Sequence, residues 1–418
     1  MAATSTIPQI SKFHPNDGTY QKYSRNALVR GLADNRITVD DAELIREFVA
    51  EISATRHISA GRAFKLTHTL INLREYLGPY RHNAISDIYA AVEKVRTAHE
   101  PDGTPKYKQN TFSDFVRFLK RFYLWMCDNH YTTVEEKKIL KIHPPSYDTQ
   151  TKTPDMLLTE DDVRKMIEVC QNSKDRAIVS VLYEGGLRIG EIGNLRWRDI
   201  KFSDWNVTLS TSFKTGKSRT IPLVMSRAYL ASWRNDYPME VIPDSFVFLS
   251  NRRSPLTYHG VTKQLRIIAK RAGITKHITP HIFRHTRATI LIRQGYGEAI
   301  TKKLLWGNLN SKMFSTYLHL VDSDVERVIA EKAGIVPKEQ RSKTLEPRQC
   351  PRCFTVNGPT LGFCGTCGFE LTKEAMEKVK QSKGQAELQP EYRALVDKYE
   401  ADLLALQEGK NIDIKRVK

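Results

Sequence analysis

Between residues 143 and 154 the chain reads HPPSYDTQTKTP, three prolines in twelve residues with no apolar repeat. Proline fixes φ, lacks an amide N–H and pushes its predecessor out of helical geometry. Neither a helix nor an inner strand can run through such a stretch. At 418 residues the chain is also too long for one core. Residues 143–157 are therefore read as a linker, and the segments on either side must fold as separate bodies.

Before the linker the patterns are helical. Residues 1–25 are polar and irregular and predict a flexible arm. Within 26–142, Asp40-Asp41 open the repeat Ala42, Ile45, Phe48, Val49 and Ile52. Ser59 caps a helix carrying Phe64, Leu66, Leu70, Leu73 and Leu77. Ser86 or Asp87 starts a short helix through Val95. Asn110-Thr111 starts a long one that buries Phe112, Phe115, Phe118, Leu119, Phe122 and Leu124.

After the linker, Thr159-Glu-Asp-Asp162 opens a new helix with a capping residue and an acidic first turn. NVTLSTSF and SRTIPLV flank Lys214-Thr-Gly-Lys217, which reads as a two-stranded hairpin. Helical patterns run from Tyr258 to about Ala272, from about Pro280 to Gln294 and from about Glu298 to Leu320. The expected fold is mainly α with a small antiparallel β-sheet.

Lysine and arginine number 65 against 47 acidic residues, a net charge of +18. That excess predicts a polyanionic partner, of which nucleic acid is the common one. A generically basic soluble protein is the alternative. Arg56, Arg62, Lys65, Arg117, Lys120 and Arg121, on or near the first set of helices, are candidate DNA contacts. No apolar run approaches the ~20 residues of a membrane helix. The amino terminus lacks the basic-then-apolar pattern of a secretory signal. A cytoplasmic, nucleoid-associated protein is expected.

Four separated places hold residues suited to phosphate chemistry. GGLRIGEI sets Arg188 between apolar neighbours, with Glu191 three residues on. FKTGKSRT puts Lys214 in the hairpin. HIFRHTRAT places His281 and Arg284 on one helix face, with His285 adjacent. WGNLNSKMFSTYLHL carries Tyr317, one of 17 tyrosines, with Asn308 nine residues ahead. Singly, each has a bland reading: a structural ion pair, a solvated lysine, surface polarity, a core tyrosine.

In order and spacing, the four segments resemble the catalytic domain of the tyrosine recombinases, the phage integrase family. GLRIGEI is similar to that family's first arginine box, TPHIFRHTRAT to its His-x-x-Arg-His box and LLWGNLNSKMFSTYLHL to its tyrosine box. The resemblance covers residues 159 to about 322 and extends more loosely over the helices before the linker. It implies a SAM-like core-binding domain at 26–142 and a catalytic domain at 158–335, forming a C-shaped clamp on duplex DNA. It also implies site-specific recombination or integration through a 3′-phosphotyrosyl bond. Tyr317 would be the nucleophile, and Arg188 and Arg284 would clamp the phosphate. Lys214 would protonate the leaving oxygen and His281 would assist proton removal. Glu191 and His285 would be supporting residues. A DNA-bound tetramer on a specific recombination site is implied, with no ATP and no catalytic metal. Asn308 departs from the family pattern of His or Trp; its amide can donate a hydrogen bond but carries no charge. A type IB topoisomerase-like relaxing enzyme and a catalytically weakened DNA-binding protein are the rival readings.

Four of the six cysteines, Cys350, Cys353, Cys364 and Cys367, are spaced as CxxC, ten residues, CxxC. Two such knuckles supply four thiolates to one tetrahedral zinc ion, a closed and structural site. Residues 345–371 look like a zinc ribbon. Cys127 and Cys170, in apolar helical contexts, are read as core thiols. From 372 to 410 a helical segment follows. Leu388, Tyr392, Leu395, Tyr399, Asp402 and Leu406 have spacing for a short coiled coil or a single packed amphipathic helix.

Overall fold

The computed structural model describes residues 13, 15–149, 151–211, 219–318, 333 and 345–387; they fall into two units that divide between Lys152 and Thr153. In the first unit the described helices are α1 (Asp17–Ala33), α2 (Val39–Arg56), α3 (Ala60–Leu73), α4 (Ile85–Arg96), α5 (Gln109–Asp128) and α6 (Glu136–Leu140). The apolar stripes of α2, α3 and α5 meet in a core of Phe48, Leu66, Leu70, Phe118, Phe122 and Tyr123. Each such side chain contributes about 1.5–3 kcal/mol by leaving water. Buried Asp41 ties the unit together, accepting the N–H of Thr38 at 2.9 Å and of Tyr80 at 2.8 Å and the Nε–H of Arg74 at 2.7 Å.

The expected arm at residues 1–25 is corrected at its end, because residues 17–25 belong to α1. Asn16 caps that helix, accepting the N–H of Thr19 at 2.8 Å. Its first turns pack by Tyr20 and Tyr23 rings on Phe64, at 6.3 and 5.8 Å between centroids, and bury no aliphatic residue. No apolar period announces such a helix. Three other starts lie upstream of the expected positions: Thr38 caps α2, Ala84 precedes α4, and α5 begins at Gln109. Ser59 caps α3 as expected.

The second unit opens with α7 (Glu160–Glu168), whose capping box pairs Thr159 with Asp162. It continues through α8 (Ser173–Gly185) and α9 (Ile189–Asn194) into β1 (Ile200–Phe202), β2 (Val207–Thr211) and β3 (Arg219–Leu223). The sheet is antiparallel in the order β1-β2-β3, with Ile200 opposite Leu209 and Val207 opposite Leu223. β1 is additional to the expected hairpin; three residues are too few to show alternation. Then come α10 (Ser226–Asn235), α11 (Tyr258–Arg271), α12 (Pro280–Arg293), α13 (Glu298–Trp306) and α14 (Ser315–Leu318). The single helix expected from Glu298 to Leu320 is thus broken. Gly307, at φ 65°, ends α13 in the left-handed region that favours glycine.

A small hairpin of β4 (Arg348–Gln349) and β5 (Val356–Asn357) and a helix α15 (Lys373–Glu387) complete the described chain. The spaced residues Leu388 to Leu406 lie outside the described residues. Among the described residues no helix is long and apolar enough to cross a membrane.

Candidate active site

A buried carboxylate organises the second unit. Glu191 lies in the first turn of α9, and its Oε2 accepts the backbone N–H of Arg188, the N-cap residue, at 2.7 Å. The Nη1 of Arg188 reaches Oε1 at 3.3 Å, and its side chain remains 30% exposed. Across the sheet, Arg219 grips the same carboxylate with two donors, Nε to Oε1 at 3.1 Å and Nη2 to Oε2. Both partners of this second pair are almost fully buried. Burial alone would raise the Glu191 carboxyl; the charge and hydrogen bonds of Arg219 outweigh it and hold the group below its usual range.

Arg219 was missed by sequence reasoning, although a signal exists. In β3 the inward residues are Arg219, Ile221 and Leu223, so an arginine falls in phase with an apolar face. Such a residue needs a buried anion.

Arg284, on α12, is buried and lies 5.6 Å from the Trp306 ring centroid. Its Nη1 donates to the Gly186 carbonyl at 2.7 Å and its Nη2 to the Leu305 carbonyl at 2.5 Å. Gly186 has φ 54°, and a Cβ there would stand 2.8 Å from Leu305. Only glycine lets the two carbonyls approach Arg284 from both sides. Burial first, then the neighbouring charges of Arg219 and Arg188, pull the Arg284 guanidinium well below the ordinary arginine value. Three guanidinium groups thus share one carboxylate, an excess of two positive charges. A partly buried cationic excess is stable only with an anion in reach.

Tyr317 stands where that excess acts. Its ring is buried against Leu157, Ala288, Leu291, Leu305 and Trp306. The Trp306 and His285 rings lie 5.7 and 5.2 Å away. Burial raises the phenol above its ordinary value, and Arg284 and Arg188 partly offset that rise. The structure therefore brings Arg188, Glu191, Arg284, His285 and Tyr317 into one electrostatic neighbourhood. His281 is exposed at the start of α12, one turn before Arg284. Asn308 is half-buried just past Gly307, and its Oδ1 accepts the N–H of Asn310 at 3.2 Å. Lys214 lies outside the described residues; Thr211 and Arg219, paired across the sheet, are the described residues on either side of its segment.

In the first unit, Arg56, Arg62 and Arg121 form a group of cations. Burial first, then the charges of Arg56 and Arg62, lower the Arg121 guanidinium, and its Nη2 is buried with no hydrogen-bond partner among the described residues. Arg62 lies over the Phe118 ring at 4.5 Å. Lys65 pairs with Asp114, and Arg117 lies over the Tyr147 ring at 4.7 Å. Lys120 is occupied within the fold, donating to the Leu140 and Ile142 carbonyls at 2.8 Å each.

The sulfurs of Cys350, Cys353, Cys364 and Cys367 all lie within 4.8 Å of one another. The separations of 3.6 Å for Cys350–Cys367 and 3.5 Å for Cys353–Cys364 are too long for disulfides. They are near the about 3.8 Å that two thiolates of a tetrahedral zinc site would show. Asn357 braces the cluster, donating to Cys364 Sγ at 3.6 Å and accepting the Gly365 N–H at 3.0 Å. The four thiols fit a metal ion. Their hairpin docks on α10, where the Tyr229 hydroxyl meets Thr360 Oγ1 at 2.6 Å. Gly358 lies so close to the Tyr229 ring that a Cβ would stand 2.6 Å from it. Cys127, half-buried, donates to the Val134 carbonyl, and buried Cys170 to that of Met166; burial raises both thiols.

Comparison with known proteins adds a second line. The phage integrase family matches residues 156–324. Transposase A from transposon Tn554 of Staphylococcus aureus is 33% identical over 207 residues, which cover 46% of this chain and 54% of that protein. The chain thus spans about half the length of the transposase it matches. The tyrosine recombinase XerC of Oceanobacillus iheyensis is 30% identical over 227 residues, 51% of this chain and 68% of that one. The crystal structure of lambda integrase bound to DNA superposes with a TM-score of 0.52 at 15% identity, covering 67% of this chain and 96% of that one, a likeness of fold. Taken with the arginine-rich pocket around Tyr317, these matches show that the chain belongs to the tyrosine recombinase, or phage integrase, family.

Proposed function

We propose that this chain is a site-specific DNA recombinase that cuts and rejoins duplex DNA through a covalent bond to Tyr317. The observation that carries the reading is the excess of two positive charges beside a buried tyrosine. A phosphodiester supplies the missing anion and gains charge on its oxygens during displacement, so the guanidinium forks favour the transition state. In this reading the Tyr317 oxygen attacks phosphorus, the P–O5′ bond breaks, and a 3′-phosphotyrosine and a free 5′-hydroxyl result. Arg188 and Arg284 hold the two non-bridging oxygens, and Glu191 holds Arg188. His281 or His285 accepts the tyrosine proton; the contact with the Tyr317 ring favours His285. Lys214 protonates the leaving oxygen. The bond energy is kept in the phosphotyrosine, so no nucleotide and no catalytic metal enter the scheme.

The substrate is double-stranded DNA with a specific site, engaged by a tetramer in the nucleoid of the cytoplasm. Arg56, Arg62 and Arg121 contact its phosphates, with Lys65 and Arg117 nearby and Lys120 as a structural support. The test is a nicked suicide duplex carrying a site enriched by the protein from randomised duplexes. A protein–DNA adduct stable to detergent supports the reading. Binding without adduct leaves a DNA-binding protein, and relaxation of arbitrary plasmids by a monomer favours a topoisomerase.

Asn308 donates a hydrogen bond to the phosphate where the family pattern has an aromatic donor. Asn308→His is expected to accelerate cleavage by an amount corresponding to roughly 1–3 kcal/mol. An unchanged single-turnover rate would mean that the asparagine amide already suffices.

Cys350, Cys353, Cys364 and Cys367 hold one structural zinc ion in a zinc ribbon. Metal analysis should find one zinc per chain, and chelation should open residues 345–371 to protease, because metal binding and folding are linked in small thiolate sites. Unaltered proteolysis after complete chelation would refute a structural role.

A further inference from the structure

The geometry points to Arg219 as a positioning residue of the proposed strand-cleavage site: it fixes Glu191 and the carbonyl end of α13 so that Arg188 and Arg284 face one phosphate. The inference rests on the recombinase reading and goes beyond it, because Arg219 would touch neither DNA nor Tyr317.

Arg219 spends Nε and Nη2 on the two oxygens of Glu191 and Nη1 on the Leu304 carbonyl. The neighbouring carbonyl, Leu305, accepts from Arg284. One buried guanidinium therefore joins three elements: β3, which carries it, α9 through Glu191, and α13 through Leu304. Arg188 is held by Glu191 and Arg284 by Leu305, so both proposed phosphate ligands are referenced to the same fork. Arginine is suited to this because its planar donors lie at fixed angles, which a lysine cannot reproduce. Its burial at 4% exposure, against a site whose other cations already exceed the acids, argues against a role in recruiting DNA. Without it, Glu191 would keep the Arg188 backbone N–H at 2.7 Å, the 3.3 Å contact to the Arg188 side chain and a 3.5 Å contact from Thr211 Oγ1, but would lose its tie to β3 and, through Arg219, to α13.

Displacement of a reacting group by about 1 Å can cost on the order of 100-fold in rate. Arg219→Met is therefore expected to slow single-turnover cleavage about 100-fold while DNA affinity changes less than about threefold. Full-length protein should be tested on the suicide duplex enriched from randomised DNA, in two forms. One has the natural phosphodiester at the mapped cleavage point, the other a neutral methylphosphonate. A neutral linkage does not need the guanidinium pair to offset charge, so the variant's deficit should shrink to a few-fold on it. An equal deficit on both substrates would overturn the proposal, as would a variant as fast as wild type. Because Arg219→Met alone leaves Glu191 buried without its main partner, Glu191→Gln/Arg219→Met is the second variant. It should recover the melting temperature lost by the single change yet remain slow; recovery of both would show that Arg219 serves folding only. If wild type forms no adduct on the duplex, the recombinase reading itself fails, an outcome distinct from all of these.

Discussion

Tyr317→Phe is expected to abolish the covalent protein–DNA adduct completely while leaving DNA binding and fold in place. The change removes one oxygen from a ring packed against Leu305, Trp306 and their neighbours and keeps the ring itself. A shape-conserving change of this kind costs less than about 1.5 kcal/mol. The phenylalanine ring carries no oxygen with which to attack phosphorus. The wild-type rate should also climb with pH. Burial raises the phenol, so near neutrality it is almost wholly protonated, and the reactive form grows as pH rises toward that raised value. Detergent-stable adduct measured against pH, with the variant as baseline, tests both halves. An adduct formed by the phenylalanine variant would remove Tyr317 from the mechanism.

The second large effect belongs to Glu191→Ala. Removing the carboxylate leaves Arg219 buried without its ion partner, and breaking one side of a buried pair costs about 3–5 kcal/mol. Denaturant unfolding should show the loss directly. The wild-type pH dependence should agree in sign. The native carboxyl is held below its ordinary value, so its contribution is complete above the unfolded carboxylate range and is lost as pH falls through the lowered value. A loss under about 1 kcal/mol would mean that solvent reaches the pair and screens it.

The features legible beforehand were those written in local chemistry. Thr159 with Asp162 gave a cap, the cysteine spacing gave four convergent thiols, and two β-branched runs gave β2 and β3. The pairing of Glu191 with Arg188 was legible because three residues separate them at a helix start. What could not be read was set by distant partners. Arg219 lies 28 residues from Glu191 and 85 from Leu304, so only the folded sheet reveals its role. Helix α1 hid because its first turns pack by aromatic rings on Phe64, and only its last turns carry aliphatic core residues such as Leu28. The break after Trp306 turned on one glycine within an otherwise continuous helical pattern. His281 and His285 differ by one helical turn, and sequence alone could not say which would meet the Tyr317 ring.

The end of α13 has a further consequence. Its last carbonyls, from Leu304 and Leu305, are spent on two arginines that come from other elements. A helix C-terminus carries only about half an elementary negative charge, spread over several carbonyl dipoles. It can orient a guanidinium without cancelling it. Arg284 is thereby anchored by dipoles and keeps nearly its whole unit of charge for whatever anion enters. Because that charge is buried, mobile ions reach it poorly. Salt would then weaken how often the protein meets DNA far more than how strongly, once seated, it polarises the bond to be cut.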